Sequence, residues 1–79
     1  MIRIFKPAAP TRGRMRGIRS IEYDTVRNEY RIIRGLEPDP FSVDLGMKEI
    51  AELLALNLQS NRWVEEYQGD DLLTMVKFP

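Results

Sequence analysis

The 79-residue sequence contains no cysteine and no histidine. These absences exclude disulfide bonds, zinc sites built from thiolates or imidazoles, and catalysis by a cysteine–histidine pair. No apolar run approaches the roughly 18 residues of a membrane-spanning helix, and residues 1–7 are too short and too basic for a secretory signal. We therefore expect a cytoplasmic protein that holds no cofactor and no metal.

The size of the chain, 9.2 kDa, predicts one small domain over residues 1–79. Hydrophobic residues make up 43% of the chain and charged residues 30%, which is typical of a folded globular protein rather than a disordered one. A core of this size is small, and it leaves open a contribution to stability from self-association as a homodimer.

The net charge of zero conceals a gradient along the chain. The first 20 residues contain no acid and carry six basic residues, namely Arg3, Lys6, Arg12, Arg14, Arg16 and Arg19. From residue 35 onward, nine acids face three bases. Such asymmetry often marks an interaction segment. Alternatively, the basic first part packs against the acidic second part and is neutralised by it.

Alternation of apolar and polar residues predicts strands at 18–23 and 30–33, joined as a β-hairpin by the turn-forming residues 24–28. A short edge strand is predicted at 2–5, ended by Pro7, which has no N–H to donate. The segment 6–17 has two prolines and two glycines and little apolar content to anchor it. It is predicted to be a basic, mobile loop or arm.

A helix is predicted from residue 45 to about residue 59, capped by Ser42 or Asp44. Its core-facing stripe consists of Met47, Ile50, Ala51, Leu54 and Leu58. Residues 62–67 and 72–78 are predicted to form a second hairpin around 68–71, with Trp63 packed under the helix rather than serving as an interface anchor. The fold class is therefore α+β, a small antiparallel sheet of four or five strands with one amphipathic helix packed across it.

The sequence offers little for catalysis. Its three serines, Ser20, Ser42 and Ser60, have no glycine-rich elbow around them and no histidine to serve as a base. Glu65 and Glu66 are adjacent on a predicted strand, so they should point to opposite faces. Asp70 and Asp71 lie in a predicted turn, where aspartate is common. We predict that the protein is not an enzyme, with no catalytic, cofactor-binding or metal-binding residues.

Residues 47–57, MKEIAELLALN, resemble the first helix of helix-turn-helix DNA-binding domains. The resemblance implies a small turn residue and a polar cap, matched by Ala55 and Asn57, and a recognition helix at about 58–67. The sequence departs from the family there, because Arg62 is the only base against Glu65 and Glu66. Phosphates would repel such a helix.

A second stripe on the predicted helix points to protein recognition. On a helical wheel it lies roughly opposite the core stripe and places two leucines around two acids: Leu45, Glu49, Glu52 and Leu56. These four residues are the predicted partner-binding site. The alternative is that they are ordinary exposed or loop-covered residues.

The arginines at 12–19 support the other hypothesis, a nucleic-acid interface. Arginine forks suit phosphate oxygens, and each contact releases counterions. No aromatic residue interleaves Arg12, Arg14, Arg16 and Arg19, although stacking on single strands would need one. The leading prediction is therefore a small binding protein of accessory or inhibitor type, as phages often make, that occludes or bridges a protein partner. The alternative is a DNA- or RNA-binding protein that uses Arg12, Arg14, Arg16 and Arg19.

Overall fold

The computed structural model describes residues 1–35 and 40–66. Over these residues it has the predicted α+β architecture, a four-stranded antiparallel sheet with one helix against one face. The strands are β1 (Ile2–Pro7), β2 (Ile18–Asp24), β3 (Glu29–Arg34) and β4 (Trp63–Glu66), and the helix α1 spans Met47–Gln59. The predicted strand at 72–78 and its turn at 68–71 lie outside the described residues.

The strand order β3-β2-β1-β4 places β1 inside the sheet, so the prediction of an edge strand was wrong. Pro7 is the last residue of β1 and pairs with Trp63, the first residue of β4. A proline at the end of a strand removes only a terminal donor, and the rest of β1 remains able to bond on both sides. Phe5 accordingly pairs with Ile21 on one side and with Glu65 on the other.

The core lies between α1 and the sheet. Its buried members are Phe5, Met15, Ile18, Ile21, Ile50, Leu54 and Trp63. The helix contacts both outer strands, β3 and β4, and therefore crosses the whole width of the sheet. Trp63 is 2% exposed, which confirms its predicted place under the helix.

The helix begins two residues later than predicted, at Met47, with Gly46 as its N-cap and no side-chain capping bond. Ser42 and Asp44 therefore do not cap it. Ile50 and Leu54 are buried as predicted, but Met47 is 46% exposed. Helical side chains tilt toward the N-terminus, so the first helical residue extends past the end of the packed face.

Residues Trp63–Glu66 form a strand, which excludes the recognition helix implied by the helix-turn-helix resemblance. The chain leaves α1 at Ser60 and turns through Asn61, whose φ of 61° reverses the chain direction. The Arg62 N–H then bonds to the Asn57 carbonyl at 2.9 Å, which fixes the entry into β4.

Candidate functional site

The arginine-rich segment is held by a buried methionine. Residues Gly13–Met15 form one 3-10 turn; Gly13, its first residue, has a φ of 62°, and Gly17, two residues after its end, has a φ of 81°. Met15 is 3% exposed and belongs to the core, so the prediction of little apolar anchoring was wrong. One apolar residue suffices because the turn directs it inward and its arginine neighbours outward. The mobility of 6–17 stays a prediction.

Part of the basic first segment is neutralised by the acidic second half, as one of the two sequence alternatives expected. Arg14 forms an ion pair with Glu49 at the start of α1. Arg3 binds Glu65 through two hydrogen bonds of 2.9 and 2.8 Å, and Lys6 lies 3.1 Å from Glu66. Arg14 is therefore already engaged within the protein, unlike some other arginines of the 12–19 segment.

Arg12 and Arg19 are exposed, and within residues 1–35 and 40–66 neither side chain forms an ion pair or a hydrogen bond. Arg19 owes its position to a β-bulge: Ile18 pairs with Arg34 and Ser20 with Ile33, which leaves Arg19 as the additional residue of β2. A bulge of this kind redirects a side chain away from the regular ladder.

Two residues that the sequence did not single out complete the surface. Arg34, at the end of β3, donates to the Val43 carbonyl at 2.6 Å and to the Arg16 carbonyl at 3.4 Å. The Arg16 guanidinium carbon lies 5.2 Å from the centroid of the Phe41 ring. No local pattern marks Arg34 or Phe41, because only tertiary structure brings them to the 12–19 segment.

Arg16, Arg19, Arg34 and Phe41 lie together at one end of the β2–β3 hairpin, and Arg12 directly precedes the 3-10 turn beside them. The Gly35 N–H bonds to the Gly17 carbonyl at 3.3 Å, and the Arg19 side chain passes 3.9 Å from the position a Gly35 Cβ would occupy. We call the set the arginine surface; it comprises Arg12, Arg16, Arg19, Arg34 and Phe41. The carbonyl oxygens of Arg16 and Val43 accept hydrogen bonds from Arg34, but as neutral groups they do not neutralise its positive charge. Such a surface can bind phosphate oxygens through guanidinium forks.

The predicted partner-binding stripe is not one continuous exposed face. Leu45 precedes α1 and packs against the core, and Glu49 is engaged by Arg14. Only Glu52 and Leu56 remain exposed and uncommitted, with Leu56 at 61%. Other exposed residues of α1 are polar or small, as on the outer face of an ordinary amphipathic helix: Lys48, Ala55 and Gln59. Partner binding by the four residues stays a prediction.

The carboxylates of β4 confirm that adjacent strand residues diverge. Glu65 pairs with Phe5 and Glu66 with Ile4, so they lie on opposite faces of the sheet. Hydrogen bonds from the Arg3 side chain lower the pKa of Glu65, and the charge of Arg3 lowers it further, whereas burial opposes the shift. Among the described residues, no three acids, histidines or cysteines are grouped so that they could hold a metal ion.

Replacing Glu65 with glutamine should lower the free energy of unfolding by about 0.5–1 kcal/mol near pH 7, because both groups are partly solvated. A lowered folded-state pKa stabilises the protein above the unfolded value, near 4.5, and this stabilisation is lost as the pH falls through the folded value. Urea unfolding of wild type and variant should therefore differ at neutral pH and converge near pH 3. The matched control is Glu66→Gln, which should cost less because that pair has one contact. Equal differences at both pH values would contradict this account.

A second feature, at the opposite end of the hairpin, is a cavity of about 180 Å³. Its lining mixes acids and arginines, including Glu22, Asp24, Arg27 and Arg31. The pKa of Asp24 is lowered because its side chain accepts the Arg27 and Val26 backbone N–H groups. Glu29 adds a third acid to the two arginines of the lining, so charges of both signs line the cavity and we assign no class of ligand to it.

No protein-family model matches this chain, and comparison with curated proteins and with solved structures gives no match. In the part of the chain that the structure describes, no helix has the length and apolar character needed to cross a membrane. The geometry of the arginine surface is therefore what function can be argued from.

Proposed function

We propose that this protein is a small, non-catalytic cytoplasmic binding protein that occludes or bridges a macromolecule, and that this macromolecule is a nucleic acid held by the arginine surface. The sequence alone favoured a protein partner through Leu45, Glu49, Glu52 and Leu56. In the structure Leu45 packs against the core and Glu49 is ion-paired with Arg14. The arginine surface, by contrast, includes Arg34 and Phe41 beside the arginines of the 12–19 segment.

One observation carries the proposal: Arg12, Arg19 and Arg34 keep charge that no carboxylate in residues 1–35 and 40–66 pairs with. Elsewhere in the basic first segment, Arg3, Lys6 and Arg14 have acidic partners. Charges brought together without a counterion repel one another, so their grouping costs stability unless a bound anion offsets it.

Phosphate contacts supply the binding energy in this proposal. Each guanidinium that meets a phosphate releases condensed counterions, so affinity rises as salt falls. Because few arginines take part and the net charge of the chain is zero, we expect a dissociation constant on the order of micromolar at low salt. The exposed acidic side chain of Glu52 on α1 repels the same backbone and helps to orient the protein on it.

The test is fluorescence anisotropy of a labelled thymidine dodecamer at about 50 mM salt. The double variant Arg12→Ser/Arg19→Ser should bind about tenfold more weakly than wild type, or weaker still, because two phosphate contacts are lost. The control is Arg27→Ser/Arg31→Ser, which removes two positive charges near the opposite end of the hairpin and should bind like wild type. Equal losses in the double variant and the control would reduce the effect to net charge.

A protein partner is the competing outcome. Affinity purification of the tagged chain with and without nuclease separates the two. A stoichiometric protein that survives nuclease, and that the variant Leu56→Lys no longer captures, would overturn the nucleic-acid proposal. Material that disappears with nuclease, and with Arg12→Ser/Arg19→Ser, supports it.

A further inference from the structure

Phe41 is an exposed aromatic ring in the midst of arginines. It is 69% exposed, although phenylalanine is among the residues most often buried. The Arg16 guanidinium lies over its ring, and the Val43 carbonyl two residues later anchors Arg34. The ring therefore contacts Arg16 directly and lies two residues from the carbonyl that holds Arg34, one of the groups that the proposed function assigns to phosphates.

A flat apolar ring beside phosphate-binding arginines matches the chemistry of an unpaired nucleotide. Every base has a π-face, and aromatic side chains and arginine planes stack on such faces without regard to sequence. In a duplex the base faces are covered by neighbouring base pairs, so a ring at the protein surface reaches them only by unstacking a base step, at a cost of a few kcal/mol. Single strands present phosphate and base face within the span of one nucleotide.

We infer that Phe41 stacks on an unpaired base while Arg19 and Arg34 hold the flanking phosphates, so that the protein prefers single-stranded DNA or RNA to duplex. The inference rests on the proposed function. Electrostatics alone favours the duplex, because its phosphates are more densely spaced. Preference for the single strand is therefore a signature that arginines by themselves do not produce.

The experiment compares three labelled ligands at one salt concentration: thymidine dodecamer DNA, uridine dodecamer RNA, and the DNA dodecamer annealed to its complement. Wild type should bind the single strands about tenfold more tightly than the duplex. The variant Phe41→Leu should lose about tenfold in affinity for the single strands and keep its affinity for the duplex, since stacking on one base is lost. Phe41→Tyr, which keeps a ring, should retain the preference. The DNA and RNA arms show which sugar the surface accepts.

Each outcome bears on a different claim. If none of the three ligands binds, the proposed function fails and the inference fails with it. If all bind but the duplex binds as tightly as the single strands, or Phe41→Leu changes both equally, the arginine surface stands and the role of Phe41 is overturned. Thermal unfolding by circular dichroism checks that each variant is folded, and Phe41 is exposed enough for its replacement to leave the core intact.

Discussion

Replacing Trp63 with alanine is expected to cost about 3–5 kcal/mol of the free energy of unfolding. At 2% exposed, the indole lies in the core at the start of β4, where α1 crosses the sheet. Its removal opens the largest void that any single substitution can make here. Since domains of this size are stable by only about 4–12 kcal/mol, the substitution should remove at least about a quarter of the free energy of unfolding.

Urea unfolding followed by far-ultraviolet circular dichroism measures this loss. The control is Val64→Thr, at the next position of β4, which is 45% exposed on the opposite face of the sheet. It keeps the branched shape of valine and should change stability by no more than about 0.5 kcal/mol. A Trp63→Ala variant as stable as this control would show that the described core is incorrect.

Replacing Met15 with alanine should cost about 2–5 kcal/mol, because Met15 is the buried anchor of the arginine-rich segment. The residue lies between Arg14 and Arg16 on the 3-10 turn, so its loss also frees the turn from the core. We therefore expect weaker binding of the thymidine dodecamer even where the variant is fully folded, because the arginines must then be ordered on binding.

Met47→Ala is the matched control, since it removes the same side chain from a position that is largely exposed. It should leave stability within about 0.5 kcal/mol of wild type and leave binding unchanged. Anisotropy titrations at low temperature, where Met15→Ala remains folded, measure the binding effect separately from stability. Loss of stability with unaltered binding would mean that the arginine surface does not depend on the Met15 anchor.

Local periodicity was sufficient for the hairpin and the helix. The β2–β3 pair and α1 were placed within two residues of their observed bounds, because alternation and helical spacing are properties of a short window. The prediction that β1 lies at the edge of the sheet was wrong, because a short window of sequence does not show which strands pair with it. Proline indicates where a ladder ends, but whether another strand pairs beside β1 depends on β4, more than 50 residues away.

The candidate site could be predicted only in part. The arginines at 12, 16 and 19 stand out in composition, and so does Arg14. What distinguishes Arg14 is its ion pair with Glu49, which lies 35 residues further along the chain and cannot be read from a local pattern. Phe41 follows a proline-rich stretch with no pattern of its own, and Arg34 belongs to a segment whose charges balance. The helical stripe failed as a continuous face because Leu45 lies before the helix, where the angle of 100° per residue no longer applies.

The salt dependence of binding tests the central claim most directly. The dissociation constant of the thymidine dodecamer is measured from about 20 to 200 mM salt for wild type and for Arg12→Ser/Arg19→Ser. If Arg12, Arg19 and Arg34 meet phosphates, the logarithm of the association constant should fall with the logarithm of the salt concentration at a slope of about −2 for wild type, and the slope of the double variant should be shallower by about 1.4. A wild-type slope near zero, or the same slope in both proteins, would contradict a phosphate-binding role for this surface.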